Sequence, residues 1–507
     1  MKIRADQVPD NTPVLVGAGQ VVERDATDNS HMALAAQAAG NAISDAGAAD
    51  IAAQIDTICV TRLFSDMGHL WPCKWGRSDN PPQSIAQAIG AAPAHRIYTK
   101  TGGNEPLSGL IEFARDIARG ERSVVLLAGA EAIKNQRYAE REQRELDWNE
   151  HFSEELEDRE NEDKWSIATT QEVKNGLNNV MYYYALVEQA QRHKACRSVA
   201  EHQQAMANLT ESFSAVASSN PYAQFAGKQS AADILAAPEM THLYTKRMIA
   251  QDGVNLGAAL LMCSAGKARE LGIPESNWVY IHGLAEGNEL ELTRRPDPAT
   301  SAMACRVVDR ALAIAGLGID DIDLLDIYSC FPCAVTAITT HLGLPSDGSR
   351  PLTLTGGLPY FGGPGNNYSM HGMVEAIWQA RKQPDSYAMV TSNGGVLSKH
   401  ATGIYSRVTS TIDWSNTDTT ISSDDLDRCE VCADPGTGTI VSYTVHHDPD
   451  GGAHAIILGE TDSGERFISG TADDDLLTAV AMLSEDPTGK QVVVTPPEDE
   501  RLHFQLA

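Results

Sequence analysis

What this 507-residue chain lacks narrows the field before any motif is read. No apolar run of secretory type opens the N-terminal stretch MKIRADQVPDNTPVLVGAGQ, and no segment reaches the roughly 20 apolar residues of a membrane-spanning helix. Cations are scarce: 39 Lys and Arg against 68 Asp and Glu leave a formal net charge of −29. That surplus repels phosphate backbones and anionic headgroups at long range, so neither nucleic acid nor a membrane surface is an expected partner. A local basic patch remains compatible with an anionic small molecule. The nine cysteines are an odd number in a large chain, which argues against a disulfide framework. They read as free thiols in a cytoplasmic protein. None falls between Cys73 and Cys196.

What is present is a pattern that occurs twice. An apolar strand from Pro13 to Gly17 leads to a helix over His31 to Ala46, closed by Gly47, and then to a strand over Ile55 to Val60. A helix from Glu105 to Arg119 then runs through Gly120 into a strand from Ser123 to Ala128. The second copy has a strand at Trp278 to His282, a helix over Ser301 to Ala315 ending at Gly316, and a strand at Leu324 to Tyr328. A helix from Ser369 to Lys382 follows and leads into a strand from Tyr387 to Ser392. Strands alternating with amphipathic helices imply parallel sheet covered by helices, and the repeated order suggests a duplicated α/β unit. Two independent Rossmann-like halves would look similar at this level.

Between the copies, residues 133–245 are charge-rich and read as a helical insertion, as in YAEREQRELDWNEHFSEELEDRE. After about residue 412 a polar linker gives way to short strand-like runs with Asp-Gly and Ser-Gly turns, a small β-rich domain over residues 413–507.

Several motifs offer chemistry. Gly17-Ala18-Gly19 lacks the third glycine of a dinucleotide fingerprint, so a nicotinamide cofactor is not expected. Cys330/Cys333 and Cys429/Cys432 form two CxxC pairs, but they lie about a hundred residues apart in different expected domains, and no metal site is assigned to them. TKTGGNEPLSG places glycines and Asn104 at the start of a buried helix whose free N–H groups can meet a ligand. LTLTGGLPYFGGPGNNYSMHG carries Gly356, Gly357, Gly362, Gly363 and Gly365 ahead of another helix. So many glycines mean backbone brought close to something, either packed chain or a ligand, with a ligand favoured by the helix start behind them. SNGGVLSKH, from Ser392 to His400, puts a glycine pair at the carboxyl end of a strand, where ligands sit in α/β sheets.

In order, these three segments and the Tyr328-Ser329-Cys330-Phe331 run resemble the four catalytic loops of the thiolase superfamily, across about residues 10 to 412. With the added C-terminal domain, the chain is similar to the thiolase-like protein type 1 group. The resemblance implies a duplicated thiolase fold of five layers, αβαβα. Residues 1–270 would form the N-terminal half with its loop subdomain over residues 133–245, and residues 271–412 the C-terminal half. It also implies an acyltransferase of acetyl-CoA acetyltransferase type, acting on acyl-CoA in lipid metabolism. No cofactor would be held permanently, and a homodimer or a small partner protein is compatible with the family.

The same comparison exposes what is missing. Thiolases acylate a cysteine at a helix start, whose thiolate is favoured by the helix dipole and a nearby His. That position falls near Gly103 or Asn104. The family's GHP histidine matches Gly363, its third-loop Asn or His matches Tyr328, and its acid/base cysteine matches Ser392. The expected catalytic set is therefore Tyr328, Ser392 and His371, the last a replacement for the absent histidine. The expected acyl-CoA contacts are Asn104, Phe331, Gly356, Gly357, Gly363, Asn393, Gly394 and Gly395, with Arg141 and Lys194 toward the phosphates. A thiolase-fold aldolase and a noncatalytic acyl-CoA binder are the alternatives.

Overall fold

The computed structural model describes residues 4–67, 72–160, 167–447, 453–472, 476–495 and 501–507. The first half runs β1 (Pro13–Val22), α1 (His31–Ala46), β2 (Thr57–Val60), α2 (Pro81–Ile89), β3 (His95–Tyr98), α3 (Glu105–Arg119) and β4 (Val124–Ala132). The insertion follows as α4 (Ile133–Arg141), β5 (Glu157–Asp158), α5 (Thr170–Lys174), α6 (Val180–Lys194), α7 (Val199–Ser219) and α8 (Ala231–Leu235). β6 (Asn255–Ser264) and α9 (Ala265–Glu270) complete that half.

The second half comprises β7 (Val279–Asn288), α10 (Ala302–Ala315), β8 (Leu324–Asp326), α11 (Pro332–Leu342), α12 (Gly357–Tyr360) and α13 (Tyr368–Lys382). Strands β9 (Tyr387–Gly394), β10 (Lys399–Ser406) and β11 (Thr420–Ile421) end it.

The duplication is visible in the caps. Ser30 accepts from the Ala33 N–H at the start of α1, and Ser301 does the same from Ala304 at the start of α10. Gly47 and Gly316 end the two helices at φ 75° and 66°, the left-handed conformation a Cβ disfavours. The strands lie in the order β5-β3-β2-β4-β6-β1-β7-β10-β9-β8, with β11 beside β7. β1 and β7 pair only at Val14–Tyr280 and Leu15–Val279, so the two halves join across a narrow seam.

Helices α1 and α2 cover one outer face, and α10 and α11 the other. Between the halves lie α3 and α13, which touch each other and strands of both. Leu107, Leu110, Phe113 and Ile117 of α3 share one core with Met370, Met373, Val374 and Ile377 of α13. This is the expected five-layer order, with two helices packed between the sheets, α3 keeping one half-buried polar stripe at Glu105, Ser108, Glu112 and Arg115. Burial of that kind stabilises by about 25 cal/mol per Å² of apolar surface.

The charge-rich run of the insertion departs from expectation. Only α4 is helical there, and residues 142–156 carry no helix. The run has no continuous apolar stripe to bury, so a helix gains no packing from it. It instead lies across the first half: Trp148 is buried and its indole donates to the Asp28 carbonyl, and the Trp148 N–H bonds the Trp75 carbonyl. β5 then pairs parallel to β3 and covers that sheet edge.

At the C-terminal end, β12 (Thr437–His447), β13 (Ala453–Glu460), β14 (Arg466–Gly470), β15 (Gln491–Thr495) and β16 (His503–Leu506) close into a barrel, joined by α14 (Leu476–Ser484). Tyr443, Val445, Ile457, Phe467, Met482 and Phe504 fill it. The Ser-Gly turn is present, with Gly464 at φ 85°, while the Asp450-Gly451 turn lies outside the described residues. The barrel is tied to the insertion by Ser442 Oγ donating to the Leu186 carbonyl at 2.6 Å and by Arg192 paired with Asp486.

Candidate active site

The loops before α3, before α11, before α13 and after β9 converge at one point. Gly103 sits at its centre. A Cβ placed on Gly103 would overlap the Asn393 carbonyl oxygen and lie 2.5 Å from the Tyr328 hydroxyl. The place of a side chain at position 103 is therefore taken by Tyr328. Its ring meets Tyr368 edge-on at 5.3 Å, and its N–H donates to Thr391 Oγ1. Burial pushes the phenol well above its ordinary value, so Tyr328 stays protonated and offers a donor rather than a base. From the start of α13, Ser369 Oγ donates to the Gly103 carbonyl at 3.0 Å and pins the loop.

Ser392 lies at the end of β9 with its hydroxyl given to the Ala401 carbonyl at 3.0 Å. The space between Tyr328, Ser392, Asn393 and His400 is about 10 Å³, room for at most one water. Gly394 is needed at its position: a Cβ there would stand 2.6 Å from Asn104 Oδ1. Gly395 turns the chain at φ 64°.

A residue the sequence reading passed over holds this corner together. Tyr184 of α6 accepts at its hydroxyl from Asn393 Nδ2 at 2.8 Å and from the Leu397 N–H at 3.0 Å, and its ring stacks on Phe331 at 4.2 Å. Leu397 is thereby held at φ 58°. The Tyr182-Tyr183-Tyr184 run was the available signal, but nothing in a sequence says which tyrosine faces the core. Burial pushes the Cys330 thiol up to about 11, so it is no ready nucleophile. Cys330 and Cys333 lie in the core, whereas Cys429 and Cys432 are half-buried beside Arg294 and Arg466. Among the described residues no group of His, Cys, Asp and Glu is placed to hold a metal.

The glycine loop is anchored by Asp326, whose Oδ1 accepts from Thr353 Oγ1 and the Leu354 N–H at 2.8 Å and the Thr355 N–H at 3.2 Å. What its glycines approach is protein. A Cβ at Gly356 would meet Ala217 at 2.5 Å, one at Gly357 would meet Phe213 and Ser329 at 2.8 Å, and one at Gly362 would meet Val254 at 2.7 Å. The ligand favoured for Gly356 and Gly357 has no room there, because α7 fills it. Gly363 has ordinary contacts with Gln251, Leu358 and Ala250.

His371 is fully buried with Nδ1 bonded to Gln20 Oε1 at 2.8 Å, and burial lowers its pKa to about 3. It faces β1 as a neutral imidazole. Arg141 is exposed and paired with Glu142, and Lys194 is exposed and bonded to Asp297 at 2.6 Å. Neither shares a cavity with the loop junction.

An open space begins where the junction ends. A cavity of about 560 Å³ lies at the start of α3, lined by Asn104, Glu105, Ser108, Glu112, Lys100, Arg115, Arg159, Glu286, Lys399 and His400. His400 borders this cavity and the small space beside Tyr328. Asn104 is buried, its Nδ2 donates to Ser108 Oγ at 3.1 Å, and its Oδ1 has no hydrogen-bond partner. Burial, opposed by Lys399, pushes the Glu105 carboxyl up to about 7, and burial also raises Glu286. Lys399 donates to the Thr101 carbonyl at 2.9 Å and braces the loop. Burial lowers the pKa of His400.

Two buried helices between the halves, with catalytic-type loops gathered at the start of one, define a thiolase fold. No known protein-family profile matches the chain, and no curated protein matches it significantly. Among solved structures, a monomeric SCP2-thiolase-like protein type 1 from Mycobacterium smegmatis is 37% identical, with a TM-score of 0.81, over 99% of this chain and 100% of that one. The chain belongs to that SCP2-thiolase-like family. An Ltp2–ChsH2(DUF35) aldolase (17% identity, TM-score 0.59, 78% of this chain and 98% of that one) shares the fold. So does an acetyl-CoA acetyltransferase from Syntrophomonas wolfei (14% identity, TM-score 0.56, 79% and 100%).

Proposed function

We propose that this protein handles acyl-CoA thioesters as a degenerate descendant of thiolase-type acyltransferases, and that it forms no acyl-enzyme. The observation that carries this is the Tyr328 hydroxyl lying where a side chain of residue 103 would be. A glycine cannot be acylated, and Ser392 and Cys330 are buried, the one hydrogen-bonded and the other with its thiol raised. The thioester end enters the cavity at the start of α3, which adjoins the junction through His400. Tyr328 is the donor available to a thioester carbonyl. The 37%-identical SCP2-thiolase-like relative is described as monomeric, which supports reading this chain too as a monomer acting in acyl-CoA metabolism.

A second reading is aldol cleavage of a 3-hydroxyacyl-CoA, favoured by Glu105. A carboxyl with a pKa of about 7 suits a general base, which Tyr328 does not. Glu105 would take the hydroxyl proton, the carbon–carbon bond would break, and the thioester enolate would be reprotonated.

Incubation with acetyl-CoA, acetoacetyl-CoA plus free CoA, and 3-hydroxyacyl-CoA separates these readings. We expect saturable binding by calorimetry and no thiolysis. Aldehyde or ketone released from 3-hydroxyacyl-CoA and lost in Glu105→Gln establishes the second reading. Rapid thiolysis of acetoacetyl-CoA overturns the first.

A further inference from the structure

The cavity at the start of α3 runs on past the first turn, along the half-buried polar stripe of that helix, to the end of β7. Among the described residues, Ile111 and Ile421 are the only large apolar side chains in its walls. Several of its charges are already answered within the protein. Arg159 holds Glu112 by two hydrogen bonds, at 2.7 and 3.0 Å, and Lys399 is given to the Thr101 carbonyl. Two charged groups on the wall are not. The Lys100 ammonium is half-buried and makes no hydrogen bond or ion pair with any described residue. The Glu286 carboxyl, also half-buried, has no ion pair among the described residues.

These two groups feel each other across the cavity. Burial raises the Glu286 carboxyl, and the Ser108 hydroxyl and the Lys100 charge oppose the rise. Ser108 Oγ accepts from Asn104 Nδ2 at 3.1 Å, which leaves its own proton for Glu286. The wall therefore offers a guest a donor at Lys100 and an acceptor at Glu286. An alkyl chain lying there strips water from both and returns no hydrogen bond, and a long one finds only two isoleucines to lie on. An anionic guest is repelled by Glu286, and a cationic one by Lys100 and Arg115. A neutral hydroxyl donates and accepts through one oxygen and suits both groups.

We propose that the acyl group taken by this cavity is short and hydroxylated, its hydroxyl donating to Glu286 and accepting from Lys100, and that these two residues set the preference for it over a plain alkyl chain. The proposal rests on the acyl-CoA reading above and narrows its substrate class. It concerns recognition alone and assigns neither residue a part in bond breaking.

The test is calorimetric titration of the full chain with 6-hydroxyhexanoyl-CoA, hexanoyl-CoA and dodecanoyl-CoA. The hydroxyl of the first lies too far from the thioester for aldol cleavage, so binding is read by itself. The hydroxylated thioester should bind at least tenfold more tightly than hexanoyl-CoA, and dodecanoyl-CoA no more tightly than hexanoyl-CoA. Lys100→Met and Glu286→Leu should each reduce the preference to less than threefold and leave the affinity for hexanoyl-CoA unchanged, while Lys100→Arg should keep the preference. Thermal melts show which variants fold, and either Lys100→Met or Glu286→Leu decides the matter if the other does not. Equal binding of the hydroxylated and plain thioesters, tighter binding of dodecanoyl-CoA, or a preference that survives a folded Lys100→Met or Glu286→Leu variant overturns this proposal and leaves the acyl-CoA reading standing. Absence of binding by all three thioesters overturns that reading, and this proposal with it.

Discussion

The two central helices are counterparts, yet they begin in opposite surroundings. α13 starts sealed: Asn367, Tyr368 and Ser369 are buried, Tyr368 bonds Thr355 at 2.6 Å, and Ser369 reaches across to hold the Gly103 carbonyl. α3 starts open, with Asn104, Glu105 and Ser108 on a cavity of about 560 Å³. The difference separates what a thiolase fold needs in order to stand from what it needs in order to react. The loops that position chemistry are retained as packing, and the groups able to exchange protons lie beside them, at the first turn of α3.

Substitutions should divide along the same line. The largest effect is expected from restoring a nucleophile at the centre. Gly103→Cys forces its Cβ against the Asn393 carbonyl and the Tyr328 hydroxyl, and should cost about 4 kcal/mol without giving thiolase activity. Adding Tyr328→Phe should recover part of that loss, since it removes one of the two clashes; urea denaturation measures both. Asp326→Ala, at the sealed end, removes the acceptor of four hydrogen bonds under the glycine loop, and about 3 kcal/mol should follow. Tyr184→Phe frees Asn393 and Leu397 while keeping the stacked ring, for about 1.5 kcal/mol. A Tyr184→Phe variant as stable as the parent would show that the corner is held by packing alone.

At the open end the effect is small and depends on pH. Glu105 has a folded pKa of about 7 against an ordinary 4.5, so folding favours its neutral form. Its contribution is complete below pH 4.5 and is lost as pH rises through 7. Glu105→Gln should therefore match the parent at pH 4 and exceed it by about 1 kcal/mol at pH 8, a discounted figure because the carboxyl keeps some contact with water. Thermal melts at the two pH values read the difference directly.

How much of this was legible follows from the same residues. The repeat was, because caps and periodicity are local: Ser30 with Gly47 and Ser301 with Gly316 mark both copies of one helix. The catalytic-type loops were legible as glycine clusters, but what a glycine makes room for is set by distant chain. Gly356 and Gly357 meet α7, about 140 residues upstream, and no spacing rule announces that. The open cavity was hidden for a related reason. Glu105, Glu286 and Lys399 come from three separate elements and meet only after the halves are joined. The charge-rich run misled because charge periodicity without an apolar stripe is compatible with a strap as well as a helix.

Every part of the account rests on Tyr328 standing in for a nucleophile at residue 103. Intact-protein mass measurement after incubation with excess acetyl-CoA and an acid quench tests this most directly. The protein mass should be unshifted, with all nine thiols unacylated. A stoichiometric acetyl adduct that free CoA removes would contradict it.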